Sequence, residues 1–101
     1  MGQSLLEHYL ALAREGTKVA VDSIMADLTM EMSVAESKII DFALGQVNTD
    51  EGFIVMERYL FGGTQVQRNY CALYFARRGE YLIVRSAYDM GKIDGIQAFS
   101  R

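Results

Sequence analysis

Nine glycines and no proline punctuate this 101-residue chain. Gly16, Gly45, Gly63, Gly79 and Gly91 each follow an amphipathic run rich in Ala, Leu, Ile, Met, Glu and Arg. A helix commonly ends on a residue in the left-handed conformation, which glycine adopts without strain. Repeated glycine stops, with no proline to break a helix from inside, predict an all-α fold. The expectation is a compact bundle of about six or seven short helices, forming a single domain over residues 1–101.

The spacing of apolar residues places the helices. Leu5, Tyr9 and Leu12, with Leu6, Leu10 and Ala13 beside them, predict a helix over 3–15. Val21, Ile24, Met25, Leu28 and Met32 predict a second over 18–31. Ser33-Val34-Ala35-Glu36 reads as a capping box opening a third, continued by Ile39, Ile40, Ala43, Leu44 and Val47. Thr49-Asp50-Glu51 puts acids where a fourth helix dipole favours them, and Gly62-Gly63 ends that helix. Thr64-Gln65-Val66-Gln67 is a second box, and the helix behind it closes on Arg77-Arg78 before Gly79. Tyr81, Val84, Ala87 and Tyr88 align along a sixth segment over 80–90. A last short helix follows Asp94, with Asp94 and Gln97 at cap positions and Ile96 and Phe99 as apolar contacts.

Residues 53–88 also admit a rival. Phe53 to Phe61 and Tyr81 to Val84 are rich in strand formers, and Arg77-Arg78-Gly79-Glu80 suits a hairpin turn. That alternative is an α+β fold, three helices followed by a small antiparallel sheet. Neither Phe53-Ile54-Val55-Met56 nor Leu82-Ile83-Val84 alternates, so helix is the favoured expectation.

Half the residues are hydrophobic and 23% are charged, a globular composition. The longest apolar runs fall far short of the ~20 residues that span a bilayer. The first residues, with Glu7 and no basic region, make a poor signal peptide, and Leu6 stands where myristoylation after Gly2 wants Ser or Thr. The lone Cys71 forms no internal disulfide and suits a reducing compartment. A cytoplasmic protein is expected.

Net charge is −3, but it is divided unevenly. Residues 1–52 hold nine acids and three bases, whereas residues 53–101 hold four acids and seven bases. Nine of the eleven aromatics lie from Phe53 onward. Arginine among aromatics is typical of interfaces and of nucleic-acid surfaces.

No arrangement of residues supports catalysis. His8 is the only histidine and lies beside Tyr9. Cys71 falls between Tyr70 and Ala72 on an aromatic face, the setting of a small core residue rather than a reactive thiolate. One His and one Cys make no zinc pattern, and no carboxylate ladder continues beyond Asp27 and Glu31. Gly62-Gly63-Thr64 offers amides to an anion, but no lysine stands behind it, so a turn and cap are expected there. The expectation is no enzyme, no metal and no cofactor.

The positive reading is a small binding protein that occupies a surface on a macromolecular partner as adaptor, inhibitor or regulator. In size and charge alone, the chain is like the small acidic inhibitors that phages and mobile elements carry, anti-CRISPR-type proteins among them. Two faces compete for the role. The acidic face, Glu15, Asp22, Asp27, Glu31 and Asp41, suits a basic groove that normally takes nucleic acid. The other face is Arg68, Tyr74, Arg77, Arg78, Tyr81 and Arg85. The run Tyr81-Leu82-Ile83-Val84 is apolar almost all round a helix, which predicts burial by a partner and favours a homodimer. The alternative is a nucleic-acid-binding regulator using the Arg/aromatic half. Ala87 and Gly91 there have the spacing of a helix-turn-helix, although Lys92, Gln97 and Ser100 are polar where buried residues are wanted.

Overall fold

The computed structural model describes residues 4–99, and of Gln97 and Phe99 only the backbone. Seven helices follow one another among the described residues: α1 (Leu5–Glu15), α2 (Lys18–Asp27), α3 (Val34–Leu44), α4 (Asp50–Gly62), α5 (Gln65–Arg77), α6 (Tyr81–Asp89) and α7 (Gly95–Phe99). No strand occurs among them, so the all-α expectation holds and the sheet over 53–88 does not form. Gln3, placed in the first helix by the sequence reading, lies outside the described residues.

Side-chain caps set most of the helix starts. Ser4 accepts from the Glu7 amide at 3.1 Å, and Thr17 from the Ala20 amide at 3.2 Å. Both expected capping boxes close in both directions. Ser33 Oγ accepts from the Glu36 amide at 3.1 Å, while the Glu36 carboxylate accepts from the Ser33 amide at 3.1 Å. Thr64 Oγ1 accepts from the Gln67 amide at 3.2 Å, and Gln67 Oε1 accepts from the Thr64 amide at 2.8 Å. A cap of this kind stabilises by about 1 kcal/mol.

Three of the five predicted glycine stops are left-handed: Gly16 (φ 64°), Gly79 (φ 75°) and Gly91 (φ 73°). Gly79 and Gly91 sit in a motif that satisfies the last carbonyls of the preceding helix. At the end of α5 the Gly79 amide donates to Ala76 O and the Glu80 amide to Phe75 O. At the end of α6 the Gly91 amide donates to Tyr88 O and the Lys92 amide to Ala87 O. Arg77–Glu80 is therefore a helix stop and not a hairpin turn. Gly45 is a correction to the expected pattern, since it stays right-handed at φ −59°. Gly63 has no positive φ either; glycine is needed there because a Cβ would lie 2.6 Å from Tyr59 O.

The second helix stops at Asp27, four residues short of the predicted end. Leu28 turns to extended backbone, ψ 95°, and is buried. Leaving the helix keeps Leu28 in the core and frees Thr29–Met32 to form a loop.

Close contacts divide the chain into two units, Met1–Val55 and Met56–Arg101. In the first, α1 packs against α2 and α3, and the buried residues include Tyr9, Ala13, Val21, Ile24, Met25, Ile40 and Leu44. In the second, α5 packs against α6 and α7, and α6 against α7, with Cys71, Ala72, Phe75, Val84, Ala87 and Ile93 buried. Fully burying a side chain the size of Ile24 or Phe75 stabilises by about 1.5–3 kcal/mol. No described helix is long and apolar enough to cross a membrane.

Candidate interaction surface

The turn between α5 and α6 gathers most of the predicted Arg/Tyr face. The helix stop at Gly79 places Arg77 and Arg78 at the end of α5, next to the first turn of α6. Both arginines are exposed. The Arg78 guanidinium lies over the Tyr74 ring, 4.5 Å from its centre. Beyond the turn, Tyr81 is 50% exposed and Leu82 is 88% exposed. Arg85, one turn further on, donates from Nε to Asp89 Oδ1 at 3.1 Å and sits 6.0 Å from the centre of the Tyr88 ring. The pair is open to water, so it adds little stability and leaves Arg85 at the surface. Only Val84 and Ala87 of α6 are buried. The predicted all-round apolar segment thus buries one face and leaves Leu82 in solvent.

Two of the six predicted contact residues stand apart from this corner. Tyr74 is buried, only 4% exposed, so it supports Arg78 from beneath and offers no surface of its own. Burial pushes its hydroxyl pKa up, and the Arg78 charge opposes that shift. Arg68 lies nine residues before Arg77, about half a circumference round the helix and ~13 Å along it. Its Nη1 donates to Gly63 O at 2.8 Å, which ties the first turn of α5 to the end of α4. Arg68 Nε is buried without a hydrogen-bond partner. Arg68 also lines a shallow open cleft of about 330 Å³ with Gln65, Gly91, Lys92, Ile93 and Asp94.

The predicted acidic residues are scattered over the first unit. Glu15 and Glu31 are exposed, and Asp22 and Asp41 are half-buried. Asp22 pairs with Lys18 Nζ at 2.6 Å. Asp27 accepts from the Tyr9 hydroxyl at 2.7 Å. Asp22 and Asp27 point about 140° apart round α2, so they share no face. What the sequence reading missed is the apolar content of the α2–α3 loop. Met30 is 83% exposed and Val34 is 72% exposed, among Asp27, Glu31 and Glu36. Residues 27–36 hold those three acids and no base, a signal that was visible in the sequence. Glu36 closes its capping box from an exposed side chain.

His8 is exposed on α1, and Cys71 is fully buried on α5. Burial without a neighbouring cation pushes the Cys71 thiol pKa well up, the opposite of what a nucleophile requires. Among the described residues, no three His, Cys, Asp or Glu side chains gather to hold a metal ion. At Gly62-Gly63-Thr64 the capping box takes the Thr64 and Gln67 amides, and the Gly63 amide donates to Tyr59 O. The polar residues that weigh against a helix-turn-helix are divided: Lys92 is half-buried, while the Gln97 side chain and Ser100 lie outside the described residues.

Comparison with known proteins finds no matching family model, no matching curated protein and no matching solved structure.

Proposed function

We propose that this chain is a non-enzymatic binding protein that acts by covering a surface on a protein partner, with the α5–α6 corner as its contact face. The observation that carries the reading is Leu82. An aliphatic side chain left 88% exposed beside a half-exposed tyrosine and three exposed arginines has the make-up of an interface centre and its rim. Arg78 is held over Tyr74, so part of its ordering cost is met before binding. The corner stands between two helices that share a packed core, which makes it a firm platform. An adaptor, an inhibitor or a regulator works in this way, and an inhibitor from a phage or mobile element is one form of it.

The test uses affinity capture from the source cell, followed by reconstitution with the purified partner. Leu82→Asp and Arg78→Glu are expected to weaken the complex at least about tenfold, as interface-centre changes do. Glu15→Lys, outside the corner, is expected to leave it unchanged. Loss of binding with Glu15→Lys but not with the corner variants would transfer the role to the acidic residues.

A further inference from the structure

The structure carries a second exposed apolar patch whose charge is opposite to that of the corner. Between the last residue of α2 and the first turn of α3, Met30 and Val34 are exposed in a stretch that also holds Asp27, Glu31 and Glu36, with Asp27 bonded to Tyr9 and Glu36 to the Ser33 amide. At the corner, Tyr81 and Leu82 stand near Arg77, Arg78 and Arg85, with Glu80 the one acid of residues 77–85 and Asp89 paired with Arg85. The two patches match as apolar centres and complement each other as charged rims.

We propose that the α5–α6 corner of one copy receives the α2–α3 loop of a second copy, giving a head-to-tail contact. Charge decides between this and a contact of like surfaces. Corner against corner sets Arg77, Arg78 and Arg85 against their own images, and loop against loop does the same with Asp27, Glu31 and Glu36. Like charges across an interface are disfavoured, whereas the loop on the corner pairs acids with arginines.

One such contact leaves one loop and one corner of the pair unused. These either meet each other, which closes a pair, or receive further copies. The inference rests on the corner being a contact face, as proposed above, and it adds that self-assembly and partner binding compete for that face.

Sedimentation velocity over a concentration series tests it with three proteins. These are the wild type, a loop variant (Met30→Ala with Glu31→Lys) and a corner variant (Leu82→Ala with Arg78→Glu). All four positions are exposed, and circular dichroism checks that each variant keeps its helices. The wild-type mass is expected to rise with concentration and to fall back at high salt. Each variant alone is expected to stay monomeric. An equimolar mixture is expected to form a one-to-one pair that grows no further, because only one intact loop and one intact corner can meet. A wild type that stays monomeric at millimolar concentration overturns the proposal. So does a loop variant that assembles like the wild type while the corner variant does not, since that marks a symmetric corner contact. Either result leaves the partner-binding proposal to be judged separately, by the captured complex and its Arg78→Glu variant.

Discussion

The Thr49 hydroxyl donates to the carbonyl oxygen of Gly16 at 2.7 Å and accepts from the Gly52 amide at 2.9 Å. One side chain thus caps α4 and ties it to the left-handed turn that ends α1. The Lys18 amide donates to the Glu51 carboxylate, a second tie between the same two segments. A Cβ at Gly16 would lie 2.5 Å from Thr49 Cγ2. Gly16 is therefore held by both its positive φ and the closeness of Thr49.

Gly16→Ala is expected to destabilise the protein by about 2–3 kcal/mol, with left-handed strain supplying ~1–2 of it. Thr49→Ala should cost about 1 kcal/mol as a lost cap. The double variant should cost less than the sum, because removing Thr49 Cγ2 and Oγ1 makes room for the new methyl group. Urea unfolding of the four proteins measures this. Strict additivity would show that the overlap contributes nothing.

The capping box at Ser33 predicts a pH dependence. Its hydrogen bonds to the Ser33 backbone and hydroxyl hold the Glu36 carboxyl below its usual pKa. A carboxylate lowered by folding contributes stability above its unfolded pKa and loses it as pH falls through the folded value. Unfolding curves from pH 7 to pH 3 should fall less steeply for Ser33→Ala than for the wild type.

Tyr9 predicts the opposite arm. Burial, then the hydrogen bond to Asp27, push its hydroxyl up to about 12. A group raised by folding contributes stability below its unfolded pKa, and that contribution is lost as pH rises through the folded value. The difference in stability between wild type and Tyr9→Phe should therefore hold steady to pH 10 and shrink from there to pH 12. A difference that stays constant over that range would place Tyr9 in an ordinary, water-exposed setting.

Cys71 is expected to react with a thiol reagent only when the second unit opens. Its fully buried position predicts labelling slower than that of a free thiol by the fraction of time the unit is open, with a ceiling at the opening rate when reagent is high. Labelling at the rate of a free thiol at pH 8 would show that the side chain is accessible.

The ends of most helices were legible because their chemistry is local. Ser33-x-x-Glu36 and Thr64-x-x-Gln67 need only neighbours in sequence to close, and both close. Gly16, Gly79 and Gly91 were legible for the same reason. The end of α2 was not, because Met32 continues the helical spacing past Leu28 while the core draws Leu28 out of the helix. The contact face was legible in composition but not in detail. Nothing in the residue type separates buried Tyr74 from half-exposed Tyr81, and only the rotation of α5 shows that Arg68 and Arg77 face apart. The exposure of Met30 is not legible because it depends on α2 ending at Asp27, before the helical spacing of its apolar residues runs out.

An α5–α6 corner that meets protein leaves phosphate unbound. Titrating the protein into short DNA and RNA duplexes at low and moderate salt checks this. No binding to either duplex is expected at moderate salt. Salt-sensitive binding that Arg78→Glu abolishes would contradict it and make the corner a nucleic-acid surface.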